Sequence, residues 1–258
     1  MTIRRARQVI SATRELLISS AAYTFSSCLK RRPHILLACM PKSASSFLVA
    51  AIAALPRMRH VDLFVGEPHN EHDLDGVTMM RFSGTSYVTQ HHLRFTPKVA
   101  RQTKQFDITP VVLTRNLFDC VVSIRDEWHK LDVPGGPPSF LPEITNLRDD
   151  QLDVLIADLI MPWYVMFFVT WSYNSDAIRV RYEDVKADPH NVVTMISEKA
   201  GIDASAADID SAVGAALASA PRMNKGIGGR GQGIAEQAKS HICALAAHYP
   251  DVNFSEIL

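Results

Sequence analysis

His34-Ile-Leu-Leu-Ala-Cys-Met40 carries a short continuous apolar run that passes at once into the polar turn Pro41-Lys-Ser-Ala-Ser-Ser46. Phe47 to Leu55 then reads as an Ala-rich helix stopped by Pro56. Successive side chains of a strand point to opposite faces, so a strand apolar at every position is one covered on both sides. Buried strand, tight turn and helix in so few residues open a parallel α/β unit. The pattern recurs twice. Ile108-Thr-Pro-Val-Val-Leu-Thr114 leads into Arg115-Asn-Leu-Phe-Asp119 and a helical stretch through Trp128. Ala177-Ile-Arg-Val-Arg181 leads into Tyr182-Glu-Asp-Val-Lys186 and a helix from about His190 to Ala200. The expected fold is a three-layer α/β/α domain around a mainly parallel sheet.

Between these units, Leu131 to Pro142 is Pro/Gly-rich and reads as loop or lid. Leu152 to Tyr173 reads as one long helix with Trp163, Phe167 and Trp171 on one core-facing side.

The 258 residues hold 27 Lys+Arg and 27 Asp+Glu, with 47% apolar and 21% charged residues. That balance is globular, and with 12 Gly and 8% aromatics it argues against a disordered, collagen-like or nucleic-acid-coating chain. Cys28, Cys39, Cys120 and Cys243 are scattered, which suits neither a zinc site nor a disulfide framework and implies a reducing compartment. No apolar run is long enough to span a bilayer.

Charge is concentrated at the start. Residues 1–33 form a basic, helix-prone arm with Arg4, Arg5, Arg7, Arg14, Lys30, Arg31 and Arg32 against Glu15 alone, and residues 34–258 form the main domain. A helix packed on the domain leads for the arm, with a membrane-surface segment or an organelle presequence as alternatives. The expectation is a cytoplasmic protein with a peripheral membrane contact left open.

The chemistry lies in the turns after the strands. A strand-to-helix turn presents free backbone N–H groups and the positive end of a helix dipole. Lys42, Ser43, Ser45 and Ser46 add an ammonium and three hydroxyls, a cradle for a doubly charged anion. The plain alternative is a Ser-capped helix beside a solvated Lys. The turn lacks the glycines of a Walker A loop. Arg115 would stand at the carboxyl end of its strand, the ligand edge of a parallel sheet, with Ser123 about two helical turns on. A guanidinium beside a hydroxyl suits a phosphate monoester. Asp119 reads as a helix-capping carboxylate. Two anion sites on two strands imply a ligand with two separated anionic groups.

These residues resemble the sulfotransferases that use 3′-phosphoadenosine 5′-phosphosulfate (PAPS). Pro41-Lys-Ser-Ala-Ser-Ser-Phe47 is similar to that family's P-K-S-G-T-T-W loop, Arg115 to Ser123 to its R-N-P-x-D-x-x-x-S segment, and Tyr182-Glu-Asp-Val-Lys-Ala-Asp-Pro189 to its Y-E-D-L-x-x-D-P stretch, in the family's order. The resemblance implies a P-loop-like nucleotide-binding core with PAPS as co-substrate and no metal. It implies that Lys42 meets the bridging oxygen, that Ser43, Ser45, Ser46 and the backbone at Ala44 hold the 5′-phosphosulfate, and that Phe47 packs on adenine. Arg115 and Ser123 would bind the 3′-phosphate and Tyr182 the adenine. The family's R-K-G-like closing loop has two candidates, Lys225-Gly226 and Arg230-Gly231, of which Arg230 is favoured because the glycines around it let amides approach an anion. The family's catalytic His falls on Ser86-Tyr-Val-Thr-Gln-His-His-Leu-Arg94, with His92 favoured over His91.

Some positions depart from the family. Ala44 replaces a Gly, so it should have negative φ or carry strain of about 1 kcal/mol or more. Leu117 replaces a Pro, without expected harm, and Gln90 replaces a Lys. The segment Gly66 to Asp75 is rich in acidic residues and His but reads as a solvated loop, with acceptor contact as the alternative. The expected activity is sulfuryl transfer to a small-molecule or glycan hydroxyl. A P-loop small-molecule kinase and a non-catalytic nucleotide-binding or membrane-surface protein are the competing classes.

Overall fold

The computed structural model describes residues 32–65, 71, 73–130, 147–174, 176–219 and 229–258. The N-terminal arm through residue 31, the loop at 131–142 and the candidate pair Lys225-Gly226 lie outside the described residues. Four strands, β1 (His34–Cys39), β2 (Tyr87–His91), β3 (Ile108–Thr114) and β4 (Ile178–Arg181), form one sheet in the order β2-β1-β3-β4. Every pairing is parallel.

The apolar run of β1 serves both faces, as its composition requires. Ile35, Leu37 and Cys39 join one core, and Leu36, Ala38 and Met40 the other. On the first face pack α1 (Ser45–Ala53), α7 (Tyr182–Ala187), α8 (Pro189–Ala200) and α9 (Ala206–Ser219), through Leu48, Val185, Val193 and Val213 among others. On the second pack α2 (Gly76–Phe82), α3 (Pro97–Gln105), α4 (Leu117–Trp128), α5 (Asp149–Leu159), α6 (Met161–Ser172) and α10 (Glu236–Ala247). The three-layer α/β/α expectation holds. Pro110 is tolerated inside β3 because the ladder with β4 begins only at Val111, so at Pro110 the strand has a single neighbour.

The single helix expected from Leu152 to Tyr173 is instead two, α5 and α6, bent by 41°. Pro162 sits in the first turn of α6. It offers no N–H, and its ring would crowd the carbonyl four residues back, so one continuous helix cannot pass through it. Phe167 and Trp171 are fully buried as expected, whereas Trp163 is only partly covered and donates its indole N–H to Glu71 at 3.0 Å. Among the described residues no single helix is long and apolar enough to cross a membrane.

The chain crosses from β1 to β2 on one side and then returns to β3 on the other. The turns leaving β1 and β3 therefore part at the centre of the carboxyl edge, where an open parallel sheet forms its ligand crevice.

Candidate functional site

All four strands end at this one edge, and each delivers a candidate residue within three positions of its end: Lys42 after β1, His92 after β2, Arg115 after β3 and Tyr182 after β4. The turn after β1 is anchored by the Met40 amide, which donates to the Leu113 carbonyl at 3.0 Å. Ser43 is fully buried and donates its hydroxyl to the Met40 carbonyl at 2.5 Å, so this hydroxyl closes the turn instead of facing the cradle. Ser45 accepts from Gln90 at 3.1 Å, and Ser46 is exposed. Gln90, where the resemblance has Lys, thus braces the turn.

Ala44 takes the strained branch of its expectation. Its φ is +66° and that of Lys42 is +65°, both left-handed. A side chain there meets its own carbonyl, at about 1–2 kcal/mol per residue. Ala44 is the N-cap of α1 without a side-chain cap, and no acidic residue stands in the first turn. The helix N-terminus is therefore uncapped toward the turn, a place where an anion is favoured.

Arg115 is the hub. One of its terminal nitrogens donates to the Lys42 carbonyl at 2.6 Å, and another lies 3.9 Å from Asp119. The guanidinium carbon sits 4.1 Å from the centre of the Tyr182 ring, a cation–π contact. Its Nε is buried without a hydrogen-bond partner. Ser123, on α4, is likewise buried. Phe47, Tyr182, Ala44, Val185, Pro189 and Leu217, with Lys186, line a small, mainly apolar cleft beside the turn. The residues expected to sandwich an adenine are thus brought to one apolar cleft.

Asp119 does more than cap. The α4 cap is Asn116, which accepts from the Asp119 amide at 3.1 Å. The Asp119 carboxylate instead accepts the amides of Gly229 at 2.8 Å and Gly231 at 2.7 Å, binding the Gly-rich segment to α4. Gly231 has no alternative, because a Cβ there would fall on Phe118 and within 2.6 Å of the Asp119 amide nitrogen. Arg230 is turned to Asp126 at 2.7 Å. Lys42 is turned to Glu127 at 2.9 Å. Nothing in the spacing of these residues announced either pair. Leu117, in place of Pro, has an N–H, and the Ile257 carbonyl accepts it at 2.7 Å.

The two histidines diverge. His91 is buried against Thr89, at 3.0 Å from its hydroxyl, and stands edge-on to Phe64. His92 Nδ1 lies 2.8 Å from the Cys39 carbonyl and 3.4 Å from the Cys39 sulfur. A carbonyl can only accept, so Nδ1 carries a proton in either charge state, and it is the neutral form that leaves a lone pair on Nε2. Burial alone lowers the affinity of this imidazole for a proton, but the Cys39 sulfur and carbonyl outweigh it and raise the pKa to about 9. The following segment is tied down by Glu71, which takes two bonds from the Arg94 guanidinium at 2.9 and 3.1 Å. Asp73 pairs with Lys98, and Asp75 caps α2 through Thr78. The described carboxylates of the acidic segment, Glu71, Asp73 and Asp75, are thus each paired within the protein. Among the described residues no group of three or more His, Cys, Asp or Glu side chains could hold a metal ion.

No protein-family model matches the sequence, and no curated protein matches it. Solved structures do match. The crystal structure of mouse sulfotransferase SULT7A1 complexed with PAP (adenosine 3′,5′-bisphosphate) is similar at TM-score 0.60 and 17% identity, over 92% of each chain. A sulfotransferase from Alicyclobacillus acidocaldarius aligns at TM-score 0.42 and 14% identity, over 84% of this chain and 97% of that one. Sulfotransferase STF1 from Mycobacterium tuberculosis H37Rv aligns at TM-score 0.46 and 12% identity, over 77% and 76%. The chain has the α/β fold of the mouse sulfotransferase.

Proposed function

We propose that the protein is a sulfotransferase, taking the sulfuryl group of PAPS to the hydroxyl of a carbohydrate or another polar acceptor. The observation that carries this reading is the 2.6 Å bond from Arg115 to the Lys42 carbonyl, which joins two anion-suited turns at one rim beside an apolar cleft. The mouse structure of the same fold held PAP, a ligand with one phosphate for each turn and an adenine for the cleft between Phe47 and Tyr182.

In this reading the amides around Ala44, with Ser45 and Ser46, hold the 5′-phosphosulfate, and Ser43 shapes the turn. Arg115, whose buried Nε has no partner, and Ser123 hold the 3′-phosphate, with Arg230 and Gly231 closing over it. His92 Nε2 takes the acceptor's proton while the acceptor oxygen attacks sulfur in line. A new S–O bond forms, the bond from sulfur to the bridging oxygen breaks, and Lys42 meets the charge that builds on the departing PAP. Positioning and fixed charge supply the rate, as in phosphoryl transfer.

The test is transfer of radiolabelled sulfate from PAPS into pooled polar and glycan extracts, with products identified by mass spectrometry. Labelled product whose rate of formation falls by about 10²-fold or more in Lys42→Met and His92→Gln is the expected result. PAPS left intact with every pool contradicts the reading.

A further inference from the structure

Helix α4 sets a carboxylate against each cation of the site: Asp119 near Arg115 at 3.9 Å, Asp126 on Arg230 at 2.7 Å, and Glu127 on Lys42 at 2.9 Å. These carboxylates differ in how firmly they are held. Asp119 is buried and also accepts two backbone amides, so it stays in place. Asp126 has a side chain only 14% exposed. Glu127 has a side chain 46% exposed, and the partner of its carboxylate is Lys42. An ion pair open to water to this degree exchanges readily, and an ammonium on a flexible stem changes partners more easily than a guanidinium fork.

We infer that Glu127 is a latch on Lys42. With no donor present the ammonium rests on this carboxylate, and binding of the nucleotide's 5′-phosphate draws it away. Two costs then fall on donor binding: the pair is broken, and a bare carboxylate is left beside an anionic ligand. Glu127 thereby holds the resting affinity for the nucleotide down, acting as a positioning residue through Lys42. The inference rests on the nucleotide reading above.

Calorimetric titration of PAP into four proteins tests it: wild type, Glu127→Gln, Lys42→Met and the double variant. Both substitutions fall on partly exposed side chains, and thermal melts verify that each variant is folded. Glu127→Gln should tighten PAP binding by about two- to fivefold, the scale of an exposed ion pair. In the Lys42→Met background the same change should give a clearly smaller gain, because only the repulsion by the bare carboxylate is left to remove. Equal gains in both backgrounds overturn the latch, since Glu127 is then only a nearby negative charge. Unchanged or weaker binding by Glu127→Gln also overturns it. A wild-type chain that takes up no PAP overturns the nucleotide reading and the latch together.

Discussion

Arg115 donates to the backbone carbonyl of Lys42 at 2.6 Å across 73 residues of sequence. Both turns follow neighbouring parallel strands, so the bond sits at the point where the sheet's connections part. One guanidinium thus fixes the shape of the turn after β1 while standing in the turn after β3.

Lys42 is assigned to charge that develops only as the sulfuryl group departs. Lys42→Met should therefore lower kcat by about 10²–10³-fold, the range for removing one charge-stabilising donor, with a smaller change in KM for PAPS. Steady-state kinetics over a range of PAPS concentrations separates the two. A rise in KM at unchanged kcat would place Lys42 in ground-state binding alone.

In the proposed mechanism the Cys39–His92 contact sets the pH dependence. The folded imidazole binds its proton more tightly than the ordinary value of 6.5, with a pKa of about 9. Protonated His92 thus adds stability below about pH 6.5, and that contribution is lost as pH rises through about 9. A base must be neutral to act, so kcat should climb toward alkaline pH with a midpoint near 9. Cys39→Ala removes the sulfur and leaves the burial, so the rising limb should move to lower pH. A pH–rate profile of both proteins checks this, and an unmoved limb contradicts it.

Ala44 holds a left-handed conformation that glycine adopts freely. Ala44→Gly should stabilise the protein by about 0.5–1 kcal/mol, the relieved strain exceeding the added freedom of the unfolded chain. For a chain of this size that is a rise in Tm of about 1–4 °C by calorimetry. A lower Tm would mean that the turn carries no such strain.

Asp119 joins α4 to the Gly229–Gly231 segment, and an asparagine can accept only one of the two amides while turning a donor on the other. Asp119→Asn should cost about 1.5–3 kcal/mol and lower Tm by several degrees. Faster amide hydrogen exchange at Gly229 and Gly231 should accompany the loss. Unchanged exchange contradicts the clamp.

Much of this architecture is legible in residue order. The uniform apolarity of Ile35 to Met40 declares a strand buried on both faces, and the turn that follows it declares the ligand edge. The break at Pro162 was readable too, since a proline there cannot continue a helix. What escaped reading depends on partners brought together by folding. Asp119 meets glycines 110 and 112 positions away, and Glu127 reaches Lys42 across 85. Local pattern holds no trace of such pairs. Ala44 shows a choice that residue order left open between negative φ and strain, and the turn takes the strained one.

The most direct test of the account is titration of PAP into the wild-type chain and Arg115→Ala in magnesium-free buffer. Metal-independent saturable binding by the wild type is expected, weakened in the variant by about 1.5–3 kcal/mol, or roughly 10- to 150-fold, for a lost charge-assisted bond. Binding equally tight in both proteins, or none in the wild type, contradicts it.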